Sequence, residues 1–104
     1  MRLISGTTID AMAMRHPAAG PGLRNIRSIM RQAKWTCMND ITSAAPGHPS
    51  PVSASRVVFN INHNNFRLIV DLHFPSQAIW VKWFGTHAEY DCIDPASAEN
   101  YGDF

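Results

Sequence analysis

Three short segments rich in β-branched and aromatic residues occupy the second half of the chain, and they constrain the fold most. The segments are RVVFNI from position 56, NFRLIVDLHF from position 65 and AIWVKWFG from position 78. Between them lie the clusters NHNN and PSQ, which favour turns. The spacing predicts three strands of an antiparallel meander.

The first half of the chain has the periodicity of two amphipathic helices. The segment 9–16 has apolar residues at helical spacing, follows the candidate caps Thr7 and Thr8, and is closed by Pro17. In the segment 23–35, arginines face away from an apolar stripe, which consists of Leu23, Ile26, Ile29, Met30 and Ala33. The opening MRLIS is short and β-prone. We therefore predict an α+β fold of order β-α-α-β-β-β, with both helices packed on one face of a small antiparallel sheet.

The length of 104 residues, 45% of them hydrophobic, indicates a single domain with one core. Within this domain, 1–104, we expect a flexible loop at about 42–55, where Pro, Gly, Ser and Ala collect without periodicity. We also expect a loose tail at about 95–104, because the end of the chain is acidic and lacks Lys and Arg.

Two features predict a cytoplasmic protein. Cys37 and Cys92 lie far apart, and the start of the chain has no signal-like apolar stretch, which favours reduced thiols in the cytosol. No apolar run approaches the roughly 20 residues that span a bilayer. The sequence therefore predicts no membrane insertion.

The charges are few and unevenly placed. The formal net charge is only +1, although proteins that bind phosphate draw most of their affinity from clustered cations. Five arginines lie within the first 31 residues, whereas the last fifteen residues carry four acidic groups. A nucleic-acid function must therefore depend on where individual cations are placed.

Alternation along the strands divides the side chains between two faces of the predicted sheet. The core face is predicted to carry Phe66, Leu68, Val70, Leu72, Ile79, Val81 and Trp83. The opposite face is predicted to carry Arg67, Ile69, Asp71, His73, Trp80, Lys82 and Phe84. Because the helices must cover the apolar side, the opposite face is the candidate functional site.

The run VVFNINHNNFRLIV followed by WVKWFGTHAEYDCID resembles the HigB toxin family, whose members carry a VFNI segment, a Gly-Asn hairpin, a YRLI strand and a THAEYD signature. Upstream, AKWTCMNDI is similar to the family's Trp-containing helix end and short turn, so the resemblance covers about residues 33–94. His63-Asn64 stands where the family commonly has Gly-Asn, and positive φ is easier for Gly or Asn than for His. We therefore expect a longer or reshaped turn.

The resemblance implies a RelE-like fold and the toxin of a type II toxin-antitoxin system. Such a toxin is an mRNA interferase, an endoribonuclease that cleaves messenger RNA on the ribosome without a metal. The implied partners are mRNA and an inhibitory helix-turn-helix antitoxin of the HigA type, through which alone operator DNA would be contacted. No cofactor is implied.

RNA cleavage without a metal needs a base for the 2′-hydroxyl, cations for the charged phosphorane and an acid for the departing 5′-oxygen. Arg67 and Lys82 suit the cationic role, because neighbouring strands are predicted to present them on the same face. The resemblance places the third group after the last strand, where His87 and Tyr90 are the candidates. Imidazole exchanges protons near neutral pH, whereas a phenol, with a pKa of about 10, needs help from cations. His87 is therefore the simpler candidate.

The THAEYD motif also has a purely structural interpretation. Thr86 is placed to cap a helix, and Glu89 three residues later completes a capping box, which leaves His87 merely exposed. The catalytic and structural interpretations are compatible.

The candidate RNA-binding residues are Arg56, His73, Trp80 and Phe84, and the last three are predicted to lie on the face opposite the core. Aromatic rings can stack on the bases of single-stranded RNA, although aromatics at a sheet edge more often shield a core or bind a partner. His63, His73 and His87 lack the close pair and the carboxylate companion of a catalytic zinc site, so we expect no metal.

The sequence leaves one alternative open. A catalytically inactive relative would act only as an antitoxin-binding or RNA-binding module, and the low net charge and the altered hairpin motivate this hypothesis. RNA strand scission distinguishes the two.

Overall fold

A computed structural model describes residues 1–4, 6–44, 49–62 and 65–99 of the chain. The elements in chain order are β1 (Arg2–Leu3), α1 (Gly6–Arg15), a 3₁₀ turn (Pro17–Ala19), α2 (Gly20–Gln32), α3 (Met38–Ala44), β2 (Ser50–Pro51), β3 (Arg56–Ile61), β4 (Phe66–His73), β5 (Ala78–Thr86) and α4 (His87–Tyr90). The α+β class is confirmed; α3 and β2 are additions to the predicted order, and α4 is the helix that the capping-box interpretation of THAEYD predicts. Among the described helices, none is long and apolar enough to cross a membrane.

The strands form one mixed sheet in the order β1-β5-β4-β3-β2. The pairs β2-β3, β3-β4 and β4-β5 are antiparallel, which confirms the predicted meander. The opening segment joins the sheet as predicted, but it pairs in parallel with β5. The sheet is therefore mixed rather than purely antiparallel.

The helices and one face of the sheet enclose the main core. The predicted stripe of α2 faces inward, since Leu23, Ile26 and Met30 are buried and Ile29 and Ala33 pack against the same cluster. The sheet side of this core consists of Val57, Phe59, Ile61, Leu68, Val70, Leu72, Ile79, Val81 and Phe84. The helices α1, α2 and α3 thus cover one face of the sheet, and the opposite face is the one predicted to carry the site.

A bulge interrupts the alternation of β5. Ile69 of β4 pairs with Trp83, whereas the next residue, Val70, pairs with Val81. Lys82 is therefore an extra residue on β5, and an extra residue exchanges the faces of the side chains beyond it.

The bulge corrects two predicted positions. Trp83, predicted to face the core, packs with Val58 and Ile69 on the opposite face. Phe84, predicted to face outward, is 1% exposed within the main core and stacks on Phe66 with ring centres 5.5 Å apart. Regular strand alternation does not reveal a one-residue bulge, so it assigns Trp83 and Phe84 to the wrong faces.

The predicted loop at 42–55 contains residues of a helix and of a strand. Residues 42–44 belong to α3, and Ser50–Pro51 pair with β3. Residues 45–48 lie outside the described residues, as does His63-Asn64, where the reshaped turn is expected. Just before that turn, Asn62 has a φ of 53° and its carbonyl accepts a hydrogen bond from the N–H of Asn65.

Candidate active site

The sheet face opposite the helices, called the open face below, carries the candidate residues in rows of register partners. At one end the row is Arg56, Asp71 and Trp80. The middle row is Val58, Ile69 and Trp83, which form a second, small apolar cluster. The last row is Asn60, Arg67 and Gly85, directly before α4.

A capping box fixes α4 at the end of β5. The Thr86 hydroxyl accepts a hydrogen bond from the Glu89 N–H at 3.1 Å, and the Glu89 carboxylate accepts one from the Thr86 N–H at 2.9 Å. The N–H of His87 donates to the carbonyl of Asn65 at 2.9 Å. The predicted capping box is confirmed, and it holds His87 and Tyr90 beside the start of β4.

Tyr90 contacts both an arginine and a tryptophan. The guanidinium carbon of Arg67 lies 5.6 Å from the centre of the Tyr90 ring, and the Trp83 ring centre lies 6.1 Å from it. A Cβ atom at Gly85 would approach the Trp83 ring to 2.5 Å. Because Gly85 has no side chain, Trp83 can lie against the strand and support Tyr90, whose ring attracts the cation.

His87 is paired with a carboxylate that the predicted site does not include. Its Nδ1 atom lies 3.2 Å from Oδ2 of Asp91, and the two side chains are 50% and 61% exposed. When Nδ1 donates to this carboxylate, Nε2 is left as the atom that can exchange a proton with a substrate. The spacing of four residues was the signal in the sequence, since it places both side chains on one side of a helical turn.

Lys82 lies on the open face at a distance from this group. Three residues along β5 separate Lys82 from Gly85, the register partner of Arg67. At a strand rise of about 3.3 Å per residue, this separation is roughly 10 Å. The Nζ atom of Lys82 lies 3.1 Å from Oε1 of Glu99. The two predicted cations thus lie on the same face, but their backbones are roughly 10 Å apart along the strand direction.

Arg56 is buried, and its partners belong to the protein. The residue is 7% exposed; Nε and Nη2 donate to the two carboxylate oxygens of Asp71, each at 3.1 Å. Nη1 donates to the carbonyls of Pro95 and Ala98, at 3.0 and 3.1 Å. This planar fork is satisfied by a bidentate carboxylate and two carbonyls. Arg56 therefore stabilises the fold here, which does not fit its predicted role in RNA binding.

The segment 93–99 returns across the open face. Ile93 and Ala98 pack against the middle row, Arg56 binds two carbonyls of the segment, and Glu99 reaches Lys82. The sequence predicts a loose tail from about residue 95, whereas residues 95–99 are docked. Residues 100–104 lie outside the described part of the chain.

The remaining predicted RNA-binding residues are scattered. His73 lies six residues from Arg67 along β4, roughly 20 Å away, and its Nδ1 is 2.6 Å from the Ser76 hydroxyl. Trp80 is 37% exposed on the open face, but Phe84 is in the core and out of reach of a base. Among the described residues, no three His, Cys, Asp or Glu side chains could together hold a metal ion.

The sequence of this chain is similar to those of known proteins. Residues 20–93 match the family model HigB toxin, described as the RelE-like toxic component of a toxin-antitoxin system. The chain is 23% identical over 101 residues to the mRNA interferase HigB of Escherichia coli O6:H1 strain CFT073, which covers 96% of this chain and 98% of that protein. With the sheet, the capped THAEYD helix and the matched region taken together, the chain belongs to the HigB toxin family of RelE-like toxic components of toxin-antitoxin systems.

Proposed function

We propose that this protein is an mRNA interferase, a metal-independent endoribonuclease that acts as the toxin of a type II toxin-antitoxin pair. The observation that carries the proposal is the position of the Arg67 guanidinium over the ring of Tyr90, the last residue of the short helix that His87 begins. A cation, a phenol and a carboxylate-oriented imidazole at one end of an open sheet face are the groups that RNA cleavage requires. The similarity to a protein named as an mRNA interferase supports the same conclusion.

In the proposed reaction the 2′-oxygen of the RNA attacks the adjacent phosphorus and the bond to the 5′-oxygen breaks. One proton leaves the 2′-hydroxyl and another reaches the 5′-oxygen, so the products are a 2′,3′-cyclic phosphate and a 5′-hydroxyl end. Arg67 donates hydrogen bonds to the phosphate oxygens as negative charge builds on them. His87, oriented by Asp91, and Tyr90, beside the cation of Arg67, transfer the protons.

Lys82 has a separate role in this scheme. Its backbone lies roughly 10 Å along β5 from Gly85, the register partner of Arg67, and its ammonium group is paired with Glu99 of the segment 93–99. Lys82 therefore binds a neighbouring phosphate of the same RNA strand and fixes the direction in which the strand crosses the open face.

Membership of a toxin-antitoxin family implies an antitoxin partner. We assign this partner to the HigA type, with a helix-turn-helix fold, and the substrate to mRNA on the ribosome. Operator DNA is contacted only through the antitoxin, and the pair acts in the cytoplasm.

The test is inducible expression in a bacterial host, with growth and the 5′ ends of mRNA followed over the first minutes. Wild type is compared with Arg67→Ala and with Arg24→Ala, which removes an exposed arginine from α2. Growth arrest with new 5′ ends is expected for wild type and Arg24→Ala and not for Arg67→Ala. Equal cleavage by all three proteins would contradict the proposed role of Arg67.

A catalytically inactive, antitoxin-binding relative is the second candidate. The observation that favours it is the engagement of Arg56 and Lys82 by the protein's own acidic and carbonyl groups, which lowers the positive charge offered to RNA. In the same experiment, normal growth at confirmed soluble expression and no new 5′ ends would establish this candidate.

A further inference from the structure

The docked segment 93–99 occupies part of the open face that the proposed reaction needs. Its last described residue, Glu99, lies 3.1 Å from the Nζ atom of Lys82, the cation assigned to a neighbouring phosphate. Carboxylate and phosphate oxygens are the same kind of acceptor for an ammonium group. The segment therefore places an anion of the protein where the RNA is expected to place one.

Two contacts of different strength hold this segment. The side chain of Arg56 is 9% exposed, and its guanidinium donates to the carbonyls of Pro95 and Ala98, so loss of the segment would leave a buried charge short of partners. The side chain of Glu99 is 56% exposed, and ion pairs at such positions are weak and screened by salt. Glu99 can therefore leave Lys82 while residues 95–98 stay docked.

We propose that Glu99 is a built-in competitor of RNA: its carboxylate occupies Lys82 in the free protein and an RNA phosphate displaces it. This inference rests on the proposed function and adds a regulating contact to it. Trp80 lies two residues before Lys82 on the same strand and is exposed, so a base next to the incoming phosphate has a ring to stack on. The ion pair between Glu99 and Lys82 thus sets the RNA affinity of the open face without any change in fold.

The experiment measures binding of the full chain to a fully 2′-O-methylated single-stranded RNA, which has no 2′-hydroxyl to attack. Fluorescence anisotropy is recorded for wild type, Glu99→Gln and Asp10→Asn at about 50 and 300 mM salt. Asp10 is an exposed carboxylate on α1 that pairs with Arg27, so Asp10→Asn changes the net charge equally on another element. Circular dichroism verifies that all variants are folded.

Glu99→Gln is expected to bind RNA about threefold to fivefold more tightly than wild type at the lower salt, with the gain shrinking at the higher salt. Asp10→Asn should stay within about twofold of wild type, as expected of a distant surface charge. In a Lys82→Gln background, Glu99→Gln should give no further gain in RNA affinity, because the ammonium group for which carboxylate and phosphate compete is then absent.

The inference is overturned by no gain for Glu99→Gln, by an equal gain for Asp10→Asn, or by a gain that persists without Lys82. Absence of RNA binding by both wild type and Glu99→Gln overturns it as well. The proposed function is judged separately by the Arg67-dependent 5′ ends in cells. Cleavage with no gain for Glu99→Gln overturns this inference alone, whereas a gain without cleavage overturns the proposed reaction and keeps the competition for RNA.

Discussion

Arg56 and Arg67 occupy neighbouring strands of the same sheet face, yet their surroundings differ. Arg56 is 7% exposed and its guanidinium is bonded to Asp71 and to two carbonyls of the docked segment. Arg67 is half-buried, donates to the carbonyl of Phe66, and lies over the Tyr90 ring beside α4. The same residue type on one face therefore stabilises the fold at one end and serves the proposed chemistry at the other.

The largest expected effect concerns Arg67. Replacement by Ala should lower the rate of mRNA cleavage about 100-fold or more, because a donor to the charged phosphorane is lost. Single-turnover cleavage in a translation extract measures the rate, and thermal unfolding measures stability. If Arg67→Ala unfolds the protein, Arg67 stabilises the fold as Arg56 does, and the proposed difference between their roles is wrong.

Arg56→Ala should act on stability instead. It removes a bidentate partner of Asp71 and the donor to two carbonyls, so we expect the free energy of unfolding to fall by about 2–3 kcal/mol. Urea titration measures the change. Arg24→Ala, at an exposed position of α2, is the control and should cost no more than about 0.5 kcal/mol. An equally small change in the free energy of unfolding for Arg56→Ala would contradict the structural role assigned to Arg56.

Gly85→Ala tests the support beneath Tyr90. The added methyl would meet the Trp83 ring at 2.5 Å, so the ring must move, at a cost of about 1–3 kcal/mol in stability and with reduced cleavage. Tryptophan fluorescence and urea titration report the two effects. Gly22→Ala is the matched control, because its methyl lies on the helical side of the sheet and meets the γ2 methyl of Ile61 at 3.0 Å, away from Trp83 and Tyr90. Cleavage by this control should be unchanged.

Asp91→Asn should weaken cleavage by about tenfold, chiefly in kcat, because the amide no longer fixes the His87 ring in one orientation. Kinetics of the single variants and of the pair with His87→Gln provide the measurement. If Asp91→Asn costs as much in the His87→Gln background as in wild type, Asp91 does not act through His87.

Trp80→Ala should give the smallest effect. Its ring is exposed in the same row as Arg56, so its loss should weaken binding of the 2′-O-methylated RNA by about fivefold and leave stability nearly unchanged. Anisotropy and urea titration measure these quantities. A large loss of stability would show that Trp80 belongs with Arg56 as a structural residue.

Local patterns predicted most of the fold. The period of two along 66–73 and the helical stripe from Leu23 to Met30 each reflect geometry within one element, and both are confirmed. The capping box of Thr86 and Glu89 is confirmed for the same reason. The short elements α3 and β2 were not predicted, because two to seven residues hold too little pattern to distinguish them from a loop.

The candidate site was predicted in part. Arg67 lies over the Tyr90 ring, and His87 begins the short helix that carries Tyr90; the chemical roles of all three stay predictions. Asp91 and Trp83 were missed. Asp91 had a visible helical spacing, whereas the position of Trp83 depends on a bulge that no local pattern shows.

The sequence by itself determined the longer elements of this protein, the inward faces of α2 and β4, and the capped helix that follows β5, because these depend on contacts within a few residues. Only the tertiary structure decided that Phe84 is buried, that Arg56 bonds to the docked segment and that Glu99 pairs with Lys82. Those outcomes depend on a one-residue bulge and on contacts across 17 to 42 positions of the chain. Such contacts are set by packing between elements, which sequence periodicity does not encode.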